Sequence, residues 1–459
     1  MPSILAEHRC CMKTRKMRRV TARHKWDSMK VSFWFAPAVM ALGAILLSRT
    51  MYWVDGLIPN EMLENSHLIL AGGVDEMRSI LVNIATTTLA TAGVVFTLLT
   101  LPLSTVAAQY GSRLLRVFLG DRTTQVVLGM FVATFVYCLS AATSIPPVEV
   151  QPDAPQVTAT VGLFLMTVTF GSLILLVQHI STMLQAPNIA ARAGAELLDV
   201  VRAEIPDVSR DGSETRPYTS LAEADGYAVR VTQVGYIQYI DPETVLTLAR
   251  ENDLVIRLLC KPGCFVRGGR LVALAWPAGR VDEQLEEHIR HAFQIGNRRT
   301  PTQDVAYAVN QLVEMAVRAM SPAINDPYTA MTCLDYIGDG LALFIQQGEK
   351  ASHYYDGEGK LRLLLEPVTF DELLSGAFDM LRHCSCDNAS VLLHMLEVID
   401  GIGQEVKQPE TRQALRHHVS LIQTESQAAE LIEQDRQSIH RMCETLQRKL
   451  AETGSTEAR

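Results

Sequence analysis

Charge is what long stretches between residues 31 and 191 lack. Charged residues make up 20% of the chain. Yet four windows, Val31 to Ser48, Ser79 to Ser112, Thr123 to Val148 and Ala154 to Ala191, contain no Asp, Glu, Lys or Arg. Each meets or exceeds the ~18 to 20 residues needed to cross a hydrocarbon core of about 30 Å, which excludes a wholly soluble chain. With no acid or base inside any window, an ion-coupled transporter or a proton relay has no evident coupling residue. The nine cysteines (10, 11, 138, 260, 264, 333, 384, 386, 443) follow no regular spacing, so no disulfide framework is implied. A G-x-x-x-x-G-K-[ST] phosphate loop, a G-x-S-x-G elbow and an H-E-x-x-H pair are all missing. The common hydrolase and ATPase templates therefore fail, and neither catalytic residues nor a cofactor are expected.

What is present is strongly polarised. The formal charge is -9, but residues 1 to 30 hold nine Lys/Arg against Glu7 and Asp27, a net +7 that leaves about -16 for the rest. An acidic bulk behind a basic leader argues against nucleic acid as a partner. The first window could be read as a signal peptide. Against that, Trp34, Tyr52 and Trp53 bracket it as interfacial anchors, and no small-x-small cleavage site stands out. Met29, just ahead of this window, leaves an internal start open.

Loop charges set the expected orientation. Arg9, Lys13, Arg15, Lys16, Arg18, Arg19, Arg23, Lys25 and Lys30 precede span one, and Arg113, Arg116 and Arg122 stand between spans two and three against Asp121. The other loops carry Asp55, Glu61, Glu64, Asp75 and Glu76 with Arg78, and Glu149 and Asp153. By the positive-inside rule both termini are cytoplasmic, and the cysteines after span four are free thiols.

The second window has 34 residues, ~51 Å as a helix, so it projects beyond the bilayer or bends at Pro102. Thr86, Ala90, Gly93, Thr97, Thr100 and Ser104 recur at steps of four and three along one face. Two readings stay open. Small residues and hydroxyls allow close helix packing; copies of this face around an oligomer axis would make a hydroxyl-lined aqueous path, with Arg113 and Arg116 as its cytoplasmic mouth. His179, near the end of span four, reads as an interfacial histidine.

The remainder divides into a strand-rich module and helical modules. Residues 185 to 205 read as a helix continuing from span four, and 207 to 220 as a linker. Tyr227 to Tyr239 gives a strand pair around Gly235; Asp241 and Pro242 cap a short helix; Leu254 to Leu259, Cys264 to Val266 and Leu271 to Ala275 alternate as strands. The turn Lys261 to Gly269 resembles that of lipoyl or biotinyl carrier domains over about 20 residues. It lacks their Met-Lys-Met hairpin, so a small barrel or sandwich-like structural module is the better reading. From Val281 the pattern turns helical. Thr300, Pro301, Thr302 and Gln303 fit a capping box. Ser321-Pro322 and Asp326-Pro327 read as two helix starts, or Asn325 and Asp326 with Arg298, Arg299 or Asp304 form a polar pocket for a ligand or a neighbouring subunit. His383, Cys384, Cys386 and Asp387, with Cys260 and Cys264, match no recognised metal spacing, so no metal is expected. Residues 409 to 450 read as an amphipathic helix or helix pair that could join subunits.

The run Leu114 to Tyr137, Arg299-Thr-Pro-Thr-Gln-Asp304 and Ser321-Pro-Ala-Ile-Asn-Asp-Pro327 together resemble domain-of-unknown-function family 2254, predicted bacterial membrane proteins. The likeness runs from about residue 30 to 430. It implies a membrane architecture and transfers no catalytic residues.

The expected fold is thus membrane α-helical, with four transmembrane helices and a cytoplasmic α+β domain. Its parts are a leader (1-30), a transmembrane domain (31-185), a helix and linker (186-220), a strand module (221-280), a helical module (281-403) and a C-terminal helix and tail (404-459). The expected assembly is a channel-like homo-oligomer in the lipid bilayer of the bacterial inner membrane. The alternative is a membrane-anchored sensor or scaffold.

Overall fold

A computed structural model of the chain describes residues 34-57, 69-70, 72-110, 121-145, 155-183, 185-203, 225-348 and 352-452, with the backbone alone for 101-110. The basic leader, Arg113, Arg116, the linker, the loop acids Glu61, Glu64, Glu149 and Asp153, and the Ser104 side chain lie outside the described residues. The chain forms two compact units, Met1–Gln185 and Ala186–Arg459.

Each uncharged window of the first unit forms one helix long and apolar enough to cross a membrane. These are α1 (Phe35–Asp55), α2 (Val74–Tyr110), α3 (Arg122–Ser144) and α4 (Gln156–Met183). α2 continues unbroken through Pro102 for 37 residues, ~55 Å. Helix α3 packs against the other three. It starts where Asp121 accepts from the Thr124 amide at 2.9 Å and hydroxyl at 2.8 Å, satisfying donors a helix start leaves open. Close approach is made by small residues: a Cβ on Gly129 would lie 2.5 Å from Met40 of α1, and one on Gly162 2.9 Å from Leu81 of α2. Two polar pairs link the helices, Thr134 with Thr169 at 2.8 Å and the Tyr137 hydroxyl with the Thr158 carbonyl at 3.0 Å.

The second unit opens with α5 (Ala186–Ala203), a helix separate from α4 and not the continuation expected. Then come β1 (Tyr227–Arg230), β2 (Gly235–Ile240), α6 (Pro242–Glu251), β3 (Val255–Leu258), β4 (Phe265–Val266), β5 (Leu271–Trp276), α7 (Glu283–His291) and β6 (Phe293–Gly296). The chain continues through α8 (Val305–Ala319), α9 (Pro327–Gln347), β7 (His353–Tyr355), β8 (Leu361–Leu364), α10 (Phe370–Cys384), α11 (Ala389–Glu405), α12 (Pro409–Ala428) and α13 (Glu433–Glu452). One sheet has the order β1-β5-β3-β8-β7, the other β4-β2-β6. Val229, Ile237, Leu254, Ile256, Val266, Val272 and Leu363 share one apolar core with Val245 of α6 and Ile289 of α7.

Three expectations are corrected. β1 and β2 do not pair around Gly235, because β1 finds β5 and β2 finds β4 and β6. Strands β6, β7 and β8 arise in the stretch read as helical, and β8 runs parallel to β3. Thr300 does not cap a helix: α8 starts at Val305 with Asp304 as its cap.

The helices pack around α9, which contacts α5, α8, α10 and α11. Gly194 of α5 meets the Tyr336 ring and Gly340 meets Leu197, positions where a Cβ would come within 2.5 Å and 2.4 Å. The C-terminal segment is a helix pair, α12 against α13, burying Leu415, Val419 and Ile422 with Ile439, Cys443 and Leu446.

Candidate functional site

Helix α2 uses only half its circumference within the unit. Met77, Leu81, Ile84, Ala85, Thr88, Val95 and Leu99 are buried. Thr86, Ala90, Gly93, Thr97 and Thr100 are all exposed, centred on the opposite side. At 100° per residue these five fall within about 40° of a common line over ~21 Å of helix. A Cβ on Gly93 would meet nothing within 4 Å. Gly129 and Gly162, on other helices, do stand in close contact with a neighbouring helix. Among the described residues the stripe is thus left exposed by the chain's own helices.

The hydroxyls on this face are internally satisfied as donors. Thr86 donates to Val82 at 2.9 Å, Thr97 to Gly93 at 3.0 Å and Thr100 to Thr97 at 2.8 Å. Their oxygens keep lone pairs outward as acceptors. Asn83, also exposed, sits at the edge of the same stripe, one turn into the uncharged stretch. Sequence reading passed over it, although an amide inside an apolar window is a recognisable signal: unlike a threonine hydroxyl, it cannot satisfy all its groups on its own helix.

The polar residues singled out downstream separate into two places. Arg299 Nε and Nη2 each donate to an Asp304 carboxylate oxygen at 2.8 Å, a bidentate pair. Asp304 is 4% exposed. It also accepts from the Tyr307 amide at 2.9 Å, and the Arg299 guanidinium lies 5.5 Å from the centre of the Tyr307 ring. Gly263, at φ +86°, packs against this pair so closely that a Cβ would lie 2.0 Å from the Asp304 carboxylate. Gln303 bonds both backbone groups of Ile240, accepting at 2.9 Å and donating at 3.0 Å. Arg298 is exposed, its carbonyl held by Gln238 at 2.7 Å. The 298-304 segment is thus a joint between β2 and α8.

Asn325 and Asp326 stand past the other end of α8, a helix of 15 residues or ~22 Å, so they share no pocket with Arg299 and Asp304. Asp326 caps α9, accepting from the Thr329 amide at 3.1 Å and hydroxyl at 2.6 Å ahead of Pro327, as its Asp-Pro pair implied. Asn325 adopts φ +50°, a left-handed turn conformation that Asn tolerates better than most residues. Ser321 opens no helix; its hydroxyl donates back to the Arg318 carbonyl at 2.7 Å.

His179 of α4 lies 3.0 Å from the Asp121 carboxylate, so it ties the end of α4 to the cap of α3. Cys260 is buried beside β5, whereas Cys384 is exposed at the end of α10. Among the described residues no group of three or more His, Cys, Asp or Glu side chains is arranged to hold a metal ion.

The likeness to known proteins agrees with this architecture. Residues 30-401 match the family described as Predicted membrane protein (DUF2254). The uncharacterized proteins Mb1321c of Mycobacterium bovis and Rv1290c of Mycobacterium tuberculosis are each 27% identical over 380 residues, covering 80% of this chain and 72% of theirs. No solved structure matches. With most of its length matched, the chain belongs to the DUF2254 family of predicted membrane proteins.

Proposed function

We propose that the protein is a channel-like homo-oligomer of the bacterial inner membrane, both termini cytoplasmic, in which copies of α2 surround a water-filled path. One observation carries this reading: the small, hydroxyl-bearing face of α2 is turned away from the chain's own helices. A helix face meant only for lipid gains nothing from Asn83, Thr86, Thr97 and Thr100, whereas a second copy or water can use their acceptors. Arg113 and Arg116, a few residues beyond α2, supply the basic mouth in this reading, and the second unit forms a vestibule. No catalytic step is assigned.

The test is reconstitution into planar bilayers. Wild type conducts, and Thr97→Val with Thr100→Val changes single-channel current while leaving assembly intact. Silence of the wild type across voltage and salt gradients contradicts the proposal.

The runner-up, a membrane-anchored sensor or scaffold, draws on the start of α9 and the loop before it, where Tyr328 is 79% and Ile324 45% exposed near Asn325. Under that reading Tyr328→Ser abolishes partner capture from native membranes and no current is seen.

A further inference from the structure

The β4-β2-β6 sheet has one face in the core of the second unit and one face open. Ile237, Ile240, Val266 and Phe293 point inward and are buried. On the other side Val234 is 63% and Phe265 43% exposed. Phe265 is the cross-strand partner of Tyr236, and their rings meet edge to face at 5.1 Å. The open face therefore carries an apolar patch on a rigid ladder.

The rim of this patch is basic. The loops 231-234 and 267-270 are tied by the Gly269 amide donating to the Val231 carbonyl at 2.7 Å and the Val231 amide to Arg270 at 3.1 Å. Arg230 donates to the Gly269 carbonyl at 2.8 Å, and Arg270 to that of Phe265 at 3.4 Å. Arg267 is exposed next to them. Arg298 joins from the β6 side, where Gln238 holds its carbonyl at 2.7 Å. Among the described residues no carboxylate forms an ion pair with any of these four guanidiniums; Glu286, which bonds the Arg230 backbone, gives its charge to Arg290 at 2.5 Å. This is a local reversal of sign in a chain that carries about -16 beyond its leader.

We propose that this face docks on the anionic headgroups of the membrane the chain spans, with Val234 and Phe265 entering the headgroup layer and Arg230, Arg267, Arg270 and Arg298 taking lipid phosphates. The patch wants an occupant that is apolar and anionic at once. A purely apolar groove would leave four guanidiniums stripped of water without counter-charge, at a large desolvation cost. A lipid surface offers phosphates for bidentate guanidinium contacts directly above an apolar layer. The second unit starts at Ala186, three residues after the last apolar helix ends at Met183. Tethering of that kind keeps lipid at high effective concentration.

Hydrogen exchange of the full chain in nanodiscs tests this, comparing phosphatidylcholine alone with phosphatidylcholine plus phosphatidylglycerol. The amides of 232-234 and 267-268 are expected to slow with phosphatidylglycerol and to recover at high salt. Arg267→Glu with Arg298→Glu should reverse that protection by roughly fivefold per arginine. Phe265→Ser should weaken it while leaving exchange in the α9 core unchanged, which separates lost docking from lost folding. Equal exchange in the two lipids overturns the proposal. So does protection that persists in neutral detergent and rises with protein concentration, since the occupant is then another protein surface.

Discussion

Asp55, the last residue of α1, caps the first turn of α4: its carboxylate accepts from the Val157 amide at 2.8 Å, from the Thr158 amide at 2.9 Å and from the Thr158 hydroxyl. A cap normally comes from the residue just before a helix; here it comes from a helix about a hundred residues earlier. The contact fixes the ends of two spans together without a covalent link. Asp55→Ala should cost about 1 to 2 kcal/mol. Asp55→Asn, which keeps an acceptor oxygen, should cost less. Thermal unfolding in detergent, followed at matched protein concentration, checks the order wild type, Asn, Ala; equal midpoints for all three would refute the capping role.

Gly263 should tolerate no side chain. Its φ of +86° lies in the left-handed region, and the added Cβ would meet Asp304 and Arg299. Gly263→Ala is expected to destabilise the second unit by about 2 kcal/mol or more through backbone strain and displacement of the buried ion pair. Limited proteolysis should then open cleavage between β4 and α8. Gly269→Ala is a useful contrast, since φ is +83° there but nothing lies within 4 Å, so only the backbone strain remains.

Acidification should loosen the contact between α10 and α12. His418 on α12 is 1% exposed and faces Phe378 and Ser375 of α10. Burial depresses its pKa below the usual histidine value; Asp379 and Asp371 oppose the shift, while His417 and Arg382 reinforce it. A histidine held neutral in the fold binds fewer protons than the unfolded chain. Its contribution is therefore complete above about pH 6.5 and declines as pH falls toward the lower folded value. His418→Gln should flatten unfolding midpoints between about pH 7 and pH 5. An unchanged slope in that window would remove His418 as the cause.

A second acid-sensitive point lies at lower pH. Hydrogen bonds from Arg280 and Arg362 hold the Asp253 carboxyl down at about 2. Arg362 is itself buried, pairing with Asp356 at 2.7 Å and with Asp253 at 2.8 Å. A depressed carboxyl contributes above its unfolded pKa of about 3.9, and that contribution is lost as pH falls toward 2. Asp356→Asn should raise the pH of the acid transition, measured by tryptophan fluorescence, because it leaves a buried guanidinium short of counter-charge.

Much of this fold is legible in the sequence wherever the signal is long or local. Uncharged windows of 18 residues or more leave a membrane span as their main reading, and all four became apolar helices. Asp241-Pro242 and Asp326-Pro327 each combine a cap side chain with a first-turn proline, and both start helices. The signal fails where partners are distant. β7 and β8 have three and four residues, too few alternations to stand out, and they form because β3 offers a free edge. Thr300-Pro-Thr-Gln has the residues of a capping box, but Gln303 is taken by Ile240, which moves the start of α8 to Asp304. At the α2 face the residue pattern was visible, yet its direction was not, because a stripe of threonines and glycine reads the same whether it meets a neighbouring helix or faces out.

In the proposed assembly the outward face of α2 meets other copies of the chain. Native mass spectrometry of the protein released from nanodiscs tests it most directly. Wild type is expected to fly as a single closed oligomer and Gly93→Leu to dissociate it, since a bulky side chain then enters the middle of the stripe at a position where an added Cβ meets nothing within 4 Å. A wild-type protein that flies only as a monomer, or an oligomer indifferent to Gly93→Leu, would contradict it.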